Sequence, residues 1–399
     1  MMTRVLFVDD EQRVLDGLRR QLRGLRDEWE MEFCGSGAEA LALMNEAPVD
    51  VVVSDMKMPG MNGAELLTRV SHEHPETVRI VLSGHADREA ILKSVGPAHQ
   101  YLAKPCEPEV VRATISRACA LRRILRDENL KTLVSKIDAL PSLPSLYLEI
   151  TSALQDENTS LAAIGKLIGM DIGMSAQVLK VVNSAFFGIK REVADVTTAI
   201  SYLGLDTIKA LVLSAGVFKQ FEGQELELFS LEGLWSHSQR TAHLARALAK
   251  AEGFEKEQID QTFVSGMMHD VGKLVLIAGV PELYQQVLHR TEQGGTTSEA
   301  EREILGANHG ELGGYLMGLW GLPDPVVEGV AYHVSPGSFP VDEISQITIV
   351  HAADAFAGHP WEQGLDLASH PLDEDYLTRI GALDRVPEWG QVCAAVVES

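Results

Sequence analysis

Four short apolar runs near the start of the chain constrain its fold more than any other feature. They are "RVLFVDD", "DVVVSD", "RIVLSGH" and "QYLAKP", and amphipathic helical stretches separate them. This alternation predicts a parallel sheet covered by helices. The carboxyl ends of parallel strands share one edge of such a sheet, and ligands collect there. The polar side chains expected at that edge are Asp9, Asp10, Asp55, Ser83 and Lys104.

Aspartates grouped with one lysine and one hydroxyl suit the acceptance of a phosphoryl group. Two carboxylates can hold a magnesium ion that neutralises the phosphoryl group while a third attacks it to form an acyl phosphate. We expect Asp10, helped by Asp9 through water, to hold Mg2+, and Asp55 to be the nucleophile. Lys104 would contact the phosphoryl oxygens. Ser83 would hydrogen-bond to the new phosphate, which changes the outer surface of the domain.

This region resembles the receiver domain of two-component response regulators. The motifs that carry the resemblance, in that family's order and spacing, are "FVDDE" (7–11), "SDMKMPGMNG" (54–63), "LSGH" (82–85) and "YLAKP" (101–105). The resemblance implies a flavodoxin-like α/β domain with a five-stranded parallel sheet, and a histidine kinase as phosphodonor. It also implies a role for each motif residue: Asp55 as phosphoacceptor; Asp10, Asp55 and the Lys57 carbonyl as Mg2+ ligands beside Asp9; and Ser83, Tyr101, Lys104 and Pro105 as switch residues.

A stretch without glycine or proline, "VRATISRACALRRILRDENLKTLVSKI", begins near the end of the receiver-like region and ends at residue 137. Its apolar residues Ile115, Ala118, Leu121 and Leu125 recur at three- or four-residue steps, the spacing of a stripe that can pair with another helix. We predict a receiver domain over 1–120 and a connecting helix over 121–137 that could form a homodimer. The alternative is that the stretch contains the last helix of one domain and the first helix of the next.

The second half of the chain is predicted to be helical, with an adjacent histidine and aspartate in "SGMMHDVGKLVL". Imidazole and carboxylate both donate to divalent manganese, iron or zinc. A helical bundle can bring ligands from separate segments to one interior metal. The candidate ligands, in chain order, are His237, His269, Asp270, His309, His333 and Asp354.

The order of these residues resembles the HD superfamily of metal-dependent phosphohydrolases. The resemblance implies a minimal metal set of His237, His269, Asp270 and Asp354, with His309 and His333 available for a second metal and Lys273 near the phosphate. Such a centre would use Fe, Mn or Zn to activate water against a phosphoester. His243 and His351 match no position of the pattern, and we interpret them as surface or packing residues.

The same half resembles more specifically the HDOD domain, an all-α relative of the HD group that usually serves as a non-catalytic signalling output. The stretches that carry this resemblance are "LPSLPSLYLEI", "IGMDIGMSAQVLKVVNSAFFG", "AISYLGLDTIKALVL" and "GMMHDVGKLVL". The cyclic-di-GMP phosphodiesterase branch is disfavoured, because Val334 replaces its second histidine after His333 and no GYP triplet follows. We predict an HDOD domain over 138–340, a helical core that continues to about 360, and a helical extension over 361–399.

Charge and composition limit the partners of this chain. Lysine and arginine total 34 against 57 acidic residues, and the net charge of −23 repels a phosphate backbone, so we expect no nucleic-acid partner. No apolar run is long enough to cross a bilayer, so we expect no membrane partner. The start "MMTRVLFVDDE" predicts a buried strand and not a signal peptide, which favours a cytoplasmic location. The four cysteines show no CxxC pair, as expected for reduced thiols.

Two functions follow as hypotheses. The first is a response regulator that is phosphorylated on Asp55 and signals through the HDOD domain by contact with an output protein that the sequence does not identify. The alternative is a phosphorylation-regulated metal phosphohydrolase that acts on a nucleotide or cyclic dinucleotide. A DNA-binding regulator is the weakest reading, since no basic recognition helix is apparent.

Overall fold

The structure is a computed structural model. It describes residues 2–84, 97–104, 106–120, 125, 127–135, 137, 141–142, 149–150, 152–154, 156, 159–183, 192–205, 207–208, 212, 219–220, 229–358 and 372–397.

A five-stranded parallel sheet forms the first domain, as the sequence predicts. The strands are β1 (Thr3–Val8), β2 (Trp29–Cys34), β3 (Val51–Asp55), β4 (Val78–Gly84) and β5 (Gln100–Lys104), in the order β2-β1-β3-β4-β5. The described helices of this domain are α1 (Gln12–Gln21), α2 (Gly37–Glu46), α3 (Gly63–Glu73) and α4 (Pro108–Ala120). The central strands are apolar on both faces because helices cover both. Val5 and Phe7 belong to one core cluster, whereas the alternating residues Leu6 and Val8 belong to the other.

The rest of the chain is a helical bundle. Its described helices are α5 (Glu128–Ser135), α6 (Leu161–Ile168), α7 (Ile172–Val182), α8 (Val196–Leu203), α9 (Leu231–Ala251), α10 (Lys256–Met268), α11 (Val271–Gly279), α12 (Pro281–Glu292), α13 (Thr297–Leu305), α14 (His309–Leu319), α15 (Asp324–Tyr332), α16 (Gln346–Ala357), α17 (Glu374–Arg379) and α18 (Val386–Val397). A short parallel pair, β6 (Pro141–Ser142) with β7 (Lys219–Gln220), was not predicted. Together the domains confirm the predicted fold class.

The described residues interrupt the single connecting helix predicted over 121–137. Helix α4 ends at Ala120 and α5 begins at Glu128, and Leu125 and Asp127 between them are not helical. The apolar stripe is used inside the chain, because Ile115, Ala118 and Leu125 are fully buried in its own core. This face is therefore not free to pair with a second copy, and homodimerisation stays a prediction without support from this helix.

The receiver-like domain packs directly on the helical bundle. The buried guanidinium of Arg79 on β4 donates to the carbonyl of Ser135, the last residue of α5, at 2.6 Å. Arg117 on α4 forms an ion pair with Asp324 at the start of α15 (2.6 Å) and another with Glu192 (3.1 Å). The core cluster on the α1 and α4 side of the sheet continues into the bundle without a break. The two domains thus share one hydrophobic core.

The last two helices cover the outer side of the bundle. A separate core cluster contains Leu377 of α17 and Trp389 of α18, together with Leu248 of α9 and Phe356 of α16. The indole of Trp389 donates to Glu252 at 2.7 Å. The extension therefore supports the two helices, α9 and α16, that carry His237 and Asp354.

Among the described helices, none alone is long and apolar enough to cross a membrane. Helices α6 and α7 reach that length only when they are joined across a bend of 118°.

Candidate functional site

The predicted phosphoacceptor lies at the carboxyl edge of the sheet. Asp55 ends β3, Asp9 follows β1, and Lys104 ends β5, so three separate strands bring these side chains together. The Lys104 ammonium donates to Asp9 at 2.5 Å and also contacts Asp55. The second oxygen of Asp55 accepts from the backbone N–H of Lys57 at 2.6 Å. This edge holds an acidic pair bridged by one cation.

The protonation of these groups is set by burial and by the neighbouring charges. Burial raises the pKa of Asp55, although the hydrogen bond from Lys104 opposes the shift. Burial disfavours the charged form of Lys104, but its hydrogen bonds to Asp55 and Asp9 outweigh this effect and raise its pKa. Lys104 therefore stays cationic beside the carboxylates, as a phosphoryl-binding lysine must.

The other predicted receiver residues differ in their surroundings. Asp9 is buried at the centre of the site, whereas Asp10, the predicted main Mg2+ ligand, is exposed. Ser83 is buried on β4, one position beyond the residue paired with Asp55. Tyr101 is buried and lines a cavity of about 330 Å³ between the two domains. Pro105 lies outside the described residues.

The candidate metal ligands of the second half lie on or next to six helices and meet in the bundle. His237 lies on α9, His269 follows α10, Asp270 precedes α11, His309 starts α14, His333 follows α15, and Asp354 lies on α16. The close approach of α11 to α14 depends on Gly272, where an added Cβ would lie 1.9 Å from the carbonyl oxygen of His309. We call these six side chains the His-Asp cluster.

Short distances connect the whole His-Asp cluster. His237 Nε2 lies 2.9 Å from Asp354 and 3.2 Å from His269 Nε2. His309 Nε2 lies 3.3 Å from His333 Nε2 and 3.2 Å from Asp270 Oδ1. Two overlapping groups have donor atoms within 4.8 Å of one another: His237, His269 and Asp354; and His269, Asp270 and His333. The sequence left open whether these side chains meet, and the structure brings them together.

The histidine rings are held by hydrogen bonds at Nδ1. Nδ1 of His269 bonds the carbonyl of Gly266 at 2.7 Å, and Nδ1 of His333 bonds the carbonyl of Val330 at 2.8 Å. Carbonyl oxygens only accept, so both Nδ1 atoms carry hydrogen, and the Nε2 atoms are left to face the interior of the cluster. Histidines that bind metals are oriented by partners of this kind.

Charges within the His-Asp cluster shift the pKa values of its residues. Burial opposes protonation of His269, but Asp270 and Asp354 outweigh it and raise its pKa to about 10. Burial, together with His269 and His309, lowers the pKa of His333 to about 3. Burial opposes ionisation of Asp270, yet His269 and Lys273 hold its pKa well below the usual range. The carboxylates are ionised at neutral pH, and the local field favours a cation.

One side of the cluster faces solvent. The side chains of His237, Asp354 and Lys273 are 27%, 33% and 21% exposed. Those of His269 and Asp270 are buried. Lys273 lies at this open edge and donates to Asp270 at 2.7 Å, and its role as a phosphate contact stays a prediction.

The two histidines outside the pattern do not join the cluster. His243 is exposed and packs edge-on against Phe263. His351 is buried and bonds the backbone carbonyl of His333 at 2.7 Å. His351 therefore supports the position of a candidate ligand through its main chain.

Sequence reasoning missed Glu301. This fully buried carboxylate on α13 accepts hydrogen bonds from the backbone N–H of His309 (2.8 Å) and from its ring Nδ1 (2.7 Å). The segment "SEAEREIL" reads as a solvated acidic face. One signal distinguishes Glu301: it lies three residues after Ser298 and four before Leu305, which are both buried, so it falls on the inner side of the helix.

The chain matches two family models. Residues 5–116 match the response regulator receiver domain, and residues 140–336 match the HDOD domain. The HDOD match ends before Asp354, so that candidate ligand lies beyond it.

Several known proteins are similar to parts of this chain. An uncharacterized protein of Treponema pallidum (strain Nichols) is 30% identical over 233 residues, which cover 55% of this chain and 43% of that protein. The hydrogenase transcriptional regulatory protein HoxA of Cupriavidus necator is 42% identical over 116 residues, 29% of this chain and 23% of that protein. The crystal structure of the MmoQ response regulator from Methylococcus capsulatus is 25% identical, covers 64% of this chain and 98% of that one, and has a TM-score of 0.49. The chain spans less than half the length of these two curated relatives.

Proposed function

Because the chain belongs to the response regulators that join an N-terminal receiver domain to an HDOD domain, we propose that it is phosphorylated on Asp55 and signals through the HDOD domain. The observation that carries this proposal is the contact of Lys104 with both Asp9 and Asp55 at the carboxyl edge of the sheet. A receiver domain implies a phosphodonor such as a histidine kinase. The output is a contact between the HDOD domain and another protein.

The oxygen donors at this edge fit Mg2+. Asp9 and Asp55 lie within reach of one ammonium group, and a hard divalent cation prefers such carboxylate oxygens. Asp9, Asp10, Asp55 and the Lys57 carbonyl would hold the ion, which neutralises charge on the incoming phosphoryl group. Asp55 attacks phosphorus while the phosphorus–nitrogen bond of the donor's phosphohistidine breaks, so the donor imidazole leaves with a proton from solvent and Asp55 becomes the acyl phosphate. Lys104 then contacts the phosphoryl oxygens, and Ser83 donates its hydroxyl hydrogen to one of them.

One strand and one helix connect the two sites. Strand β5 has Lys104 at the Asp55 end and Gln100 at the other, where Gln100 Nε2 lies 3.5 Å from the carbonyl oxygen of Gly318 in α14. Helix α14 begins at His309 in the His-Asp cluster. The strand segment is about 13 Å long, and the helix is about 16 Å long. A displacement of β5 on phosphorylation therefore acts on the helix that carries a cluster residue.

The contact region between the domains contains polar groups beside the shared hydrophobic core. Its cavity of about 330 Å³ is lined by the switch residue Tyr101 and by Trp320, and the Lys180 ammonium lies 4.8 Å from the Trp320 ring. The ion pair of Arg117 with Asp324 crosses the interface at an exposed position. Exposed ion pairs contribute only about 0.2–1 kcal/mol each, so a local charge change is sufficient to break this pair.

The partner of the HDOD domain should present an uncharged or basic surface. The chain has a net charge of −23, and two acidic surfaces repel each other on approach. We expect the partner surface to be helical.

Labelling with a small phosphodonor tests the site. The full chain is incubated with radiolabelled acetyl phosphate and Mg2+, beside Asp55→Asn and a control, Asp16→Asn, at a half-exposed aspartate of α1. We expect hydroxylamine-sensitive label on the wild type and the control, none on Asp55→Asn, and loss of label with chelator. Label that persists on Asp55→Asn would show that the phosphoacceptor is misassigned.

A second candidate function, a metal-dependent phosphohydrolase, is supported by one specific observation. In the His-Asp cluster, Nε2 of His309 and Nε2 of His333 lie 3.3 Å apart while Nδ1 of each ring bonds to an oxygen acceptor. Facing nitrogens at such distances repel unless a proton or metal ion lies between them. The donor set of imidazole and carboxylate suits Fe, Mn or Zn.

The chain's own residues would divide the work of such a centre. His237, His269, Asp270 and Asp354 would hold one ion, with His309 and His333 available for a second; bound metal supplies an activated water and a charge to polarise the phosphoester. Lys273 at the open edge would hold a substrate phosphate. Val334 in place of a second histidine removes one donor that the cyclic-di-GMP branch has.

Elemental analysis tests this candidate. The protein is purified without added metal or chelator, beside Asp270→Ala. About one or two equivalents of transition metal, lost in the variant, would justify a phosphodiesterase screen. Less than about a tenth of an equivalent in both proteins, after an attempt to load Mn2+, would reject the metal centre and leave the signalling function in place.

A further inference from the structure

Glu301 holds both the main chain and the ring of His309. Its Oε2 accepts from the backbone N–H at 2.8 Å and from ring Nδ1 at 2.7 Å. A carboxylate only accepts, so Nδ1 of His309 carries hydrogen. The Nε2 atom then faces Asp270 Oδ1 and His333 Nε2, inside the His-Asp cluster.

His309 differs from the other cluster histidines in the charge of its Nδ1 partner. His269 and His333 bond neutral main-chain carbonyls through Nδ1. His309 bonds a full negative charge. A hydrogen bond to an ionised acceptor is roughly twice as strong as a neutral one, and a carboxylate partner raises the basicity of the opposite ring nitrogen. His309 Nε2 is therefore the better electron donor.

Helix capping does not explain Glu301. The N-terminus of α14 already has a complete capping box, in which Asn308 accepts from Glu311 N–H and Glu311 accepts from Asn308 N–H. The extra bond from His309 N–H to Glu301 is therefore not needed to begin the helix.

Folding does not explain Glu301 either. The carboxylate is fully buried, and its other oxygen, Oε1, has no hydrogen-bond partner among the described residues. A buried carboxylate oxygen without a partner destabilises a fold more than a neutral amide of the same shape does. The opposing charge nearby is Lys273, whose pKa is raised by Asp270 and by Glu301 against the effect of burial. Because folding alone disfavours this buried carboxylate, the negative charge of Glu301 indicates a function in the His-Asp cluster.

We propose that Glu301 is a positioning residue of the His-Asp metal centre. It keeps His309 in the Nδ1–H form, directs Nε2 into the cluster, and strengthens the bond of that nitrogen to a divalent cation. This inference rests on the metal centre of the second candidate function.

The test compares Glu301→Gln with a matched control, Glu303→Gln. The two residues lie on the same helix, but Glu303 has a 60% exposed side chain and pairs with Arg290. The glutamine amide oxygen can still accept from His309, so the variant removes the charge and keeps the shape. The measurements are Mn2+ affinity of the full chain by equilibrium dialysis, the Co2+ absorption spectrum, and the thermal midpoint with chelator and with Mn2+.

We expect Glu301→Gln to bind Mn2+ about 10–100-fold more weakly and to change the Co2+ spectrum. Its thermal midpoint in chelator should equal or exceed that of the wild type, because a buried charge is gone, whereas its gain in midpoint with Mn2+ should shrink. Glu303→Gln should match the wild type in every measurement.

Two outcomes would overturn the inference, and they separate it from the metal centre itself. If the wild type binds Mn2+ and Glu301→Gln binds it equally well, or loses affinity only because it is less stable in chelator, Glu301 is structural and the metal centre stands. If the wild type binds no Mn2+, the metal centre fails and this inference fails with it.

Discussion

The contact of helices α11 and α14 gives a prediction whose size follows from the structure. A Cβ added to Gly272 would lie 1.9 Å from the carbonyl oxygen of His309, whereas real Cβ contacts are not shorter than 3.0 Å. An alanine side chain at position 272 therefore forces the two helices apart by at least the difference between these two distances. The same two helices also meet closely at Gly313 on α14, where an added Cβ would lie 3.0 Å from the backbone nitrogen of Gly272.

Gly272→Ala should lower both the free energy of unfolding and the binding of metal. Overpacking of this kind lowers the free energy of unfolding by about 1–3 kcal/mol. The shift also moves His309 away from Asp270, which now lies 3.2 Å from its Nε2. Metal sites tolerate changes in ligand distance of only about 0.2 Å, so Gly272→Ala should lose most of the metal that we propose for the His-Asp cluster.

Gly17→Ala is the matched control. Gly17 lies within α1, and an added Cβ there has no heavy atom within 4 Å. Alanine is a better helix former than glycine, so the control should gain about 0.5–1 kcal/mol. Urea unfolding followed by circular dichroism and metal analysis measure both effects. Unchanged unfolding and metal content in Gly272→Ala would refute the close backbone contact.

Three further perturbations have defined outcomes. Arg117→Ala breaks the ion pairs with Asp324 and Glu192. It should lower the free energy of unfolding by less than about 2 kcal/mol, because each such pair contributes about 0.2–1 kcal/mol, yet it should weaken the response of the HDOD domain to phosphorylation. A loss well above this range would show that the pairs are structural instead. Burial and Arg79 lower the pKa of His99 well below 6.5, so at lower pH the unfolded chain takes up a proton that the folded chain does not, and the contribution of His99 to stability falls as pH drops below 6.5. The free energy of unfolding of His99→Asn should depend less steeply on pH in that range, by up to about 1.4 kcal/mol per pH unit. An equal slope in the variant and the wild type would show that His99 does not have the lowered pKa. Asp270→Asn removes the carboxylate that pairs with Lys273 and should lower the free energy of unfolding, measured in chelator, by about 3 kcal/mol. It should also remove the proposed metal. Unchanged stability would show that the buried pair is not formed.

Sequence patterns located the strand ends and the fold class. Runs such as "DVVVSD" end in acids because the strand is buried and its carboxyl end is not, so the position of Asp55 at a sheet edge follows from local pattern. The His-Asp residues could be ordered along the chain by resemblance. Their convergence depends on how six helices pack, which no local pattern contains.

The features that sequence patterns did not predict also have physical causes. The stretch around Leu125 has helical periodicity and no breaker, and only packing against the bundle decides that the chain leaves the helix there. Glu301 stands between exposed Glu299 and Glu303, and the buried side of a helix is set by its neighbours in space. Gly272 shows no sequence sign of the close contact that requires it.

We propose that phosphorylation of Asp55 acts on the HDOD domain through β5 and α14. Hydrogen exchange, with and without Mg2+ and beryllofluoride, a mimic of aspartyl phosphate, measures this directly in the wild type and in Asp55→Asn. We predict altered exchange at residues 318–324 of the wild type and none in the variant. Changes confined to the receiver domain, with beryllofluoride bound, would contradict the account.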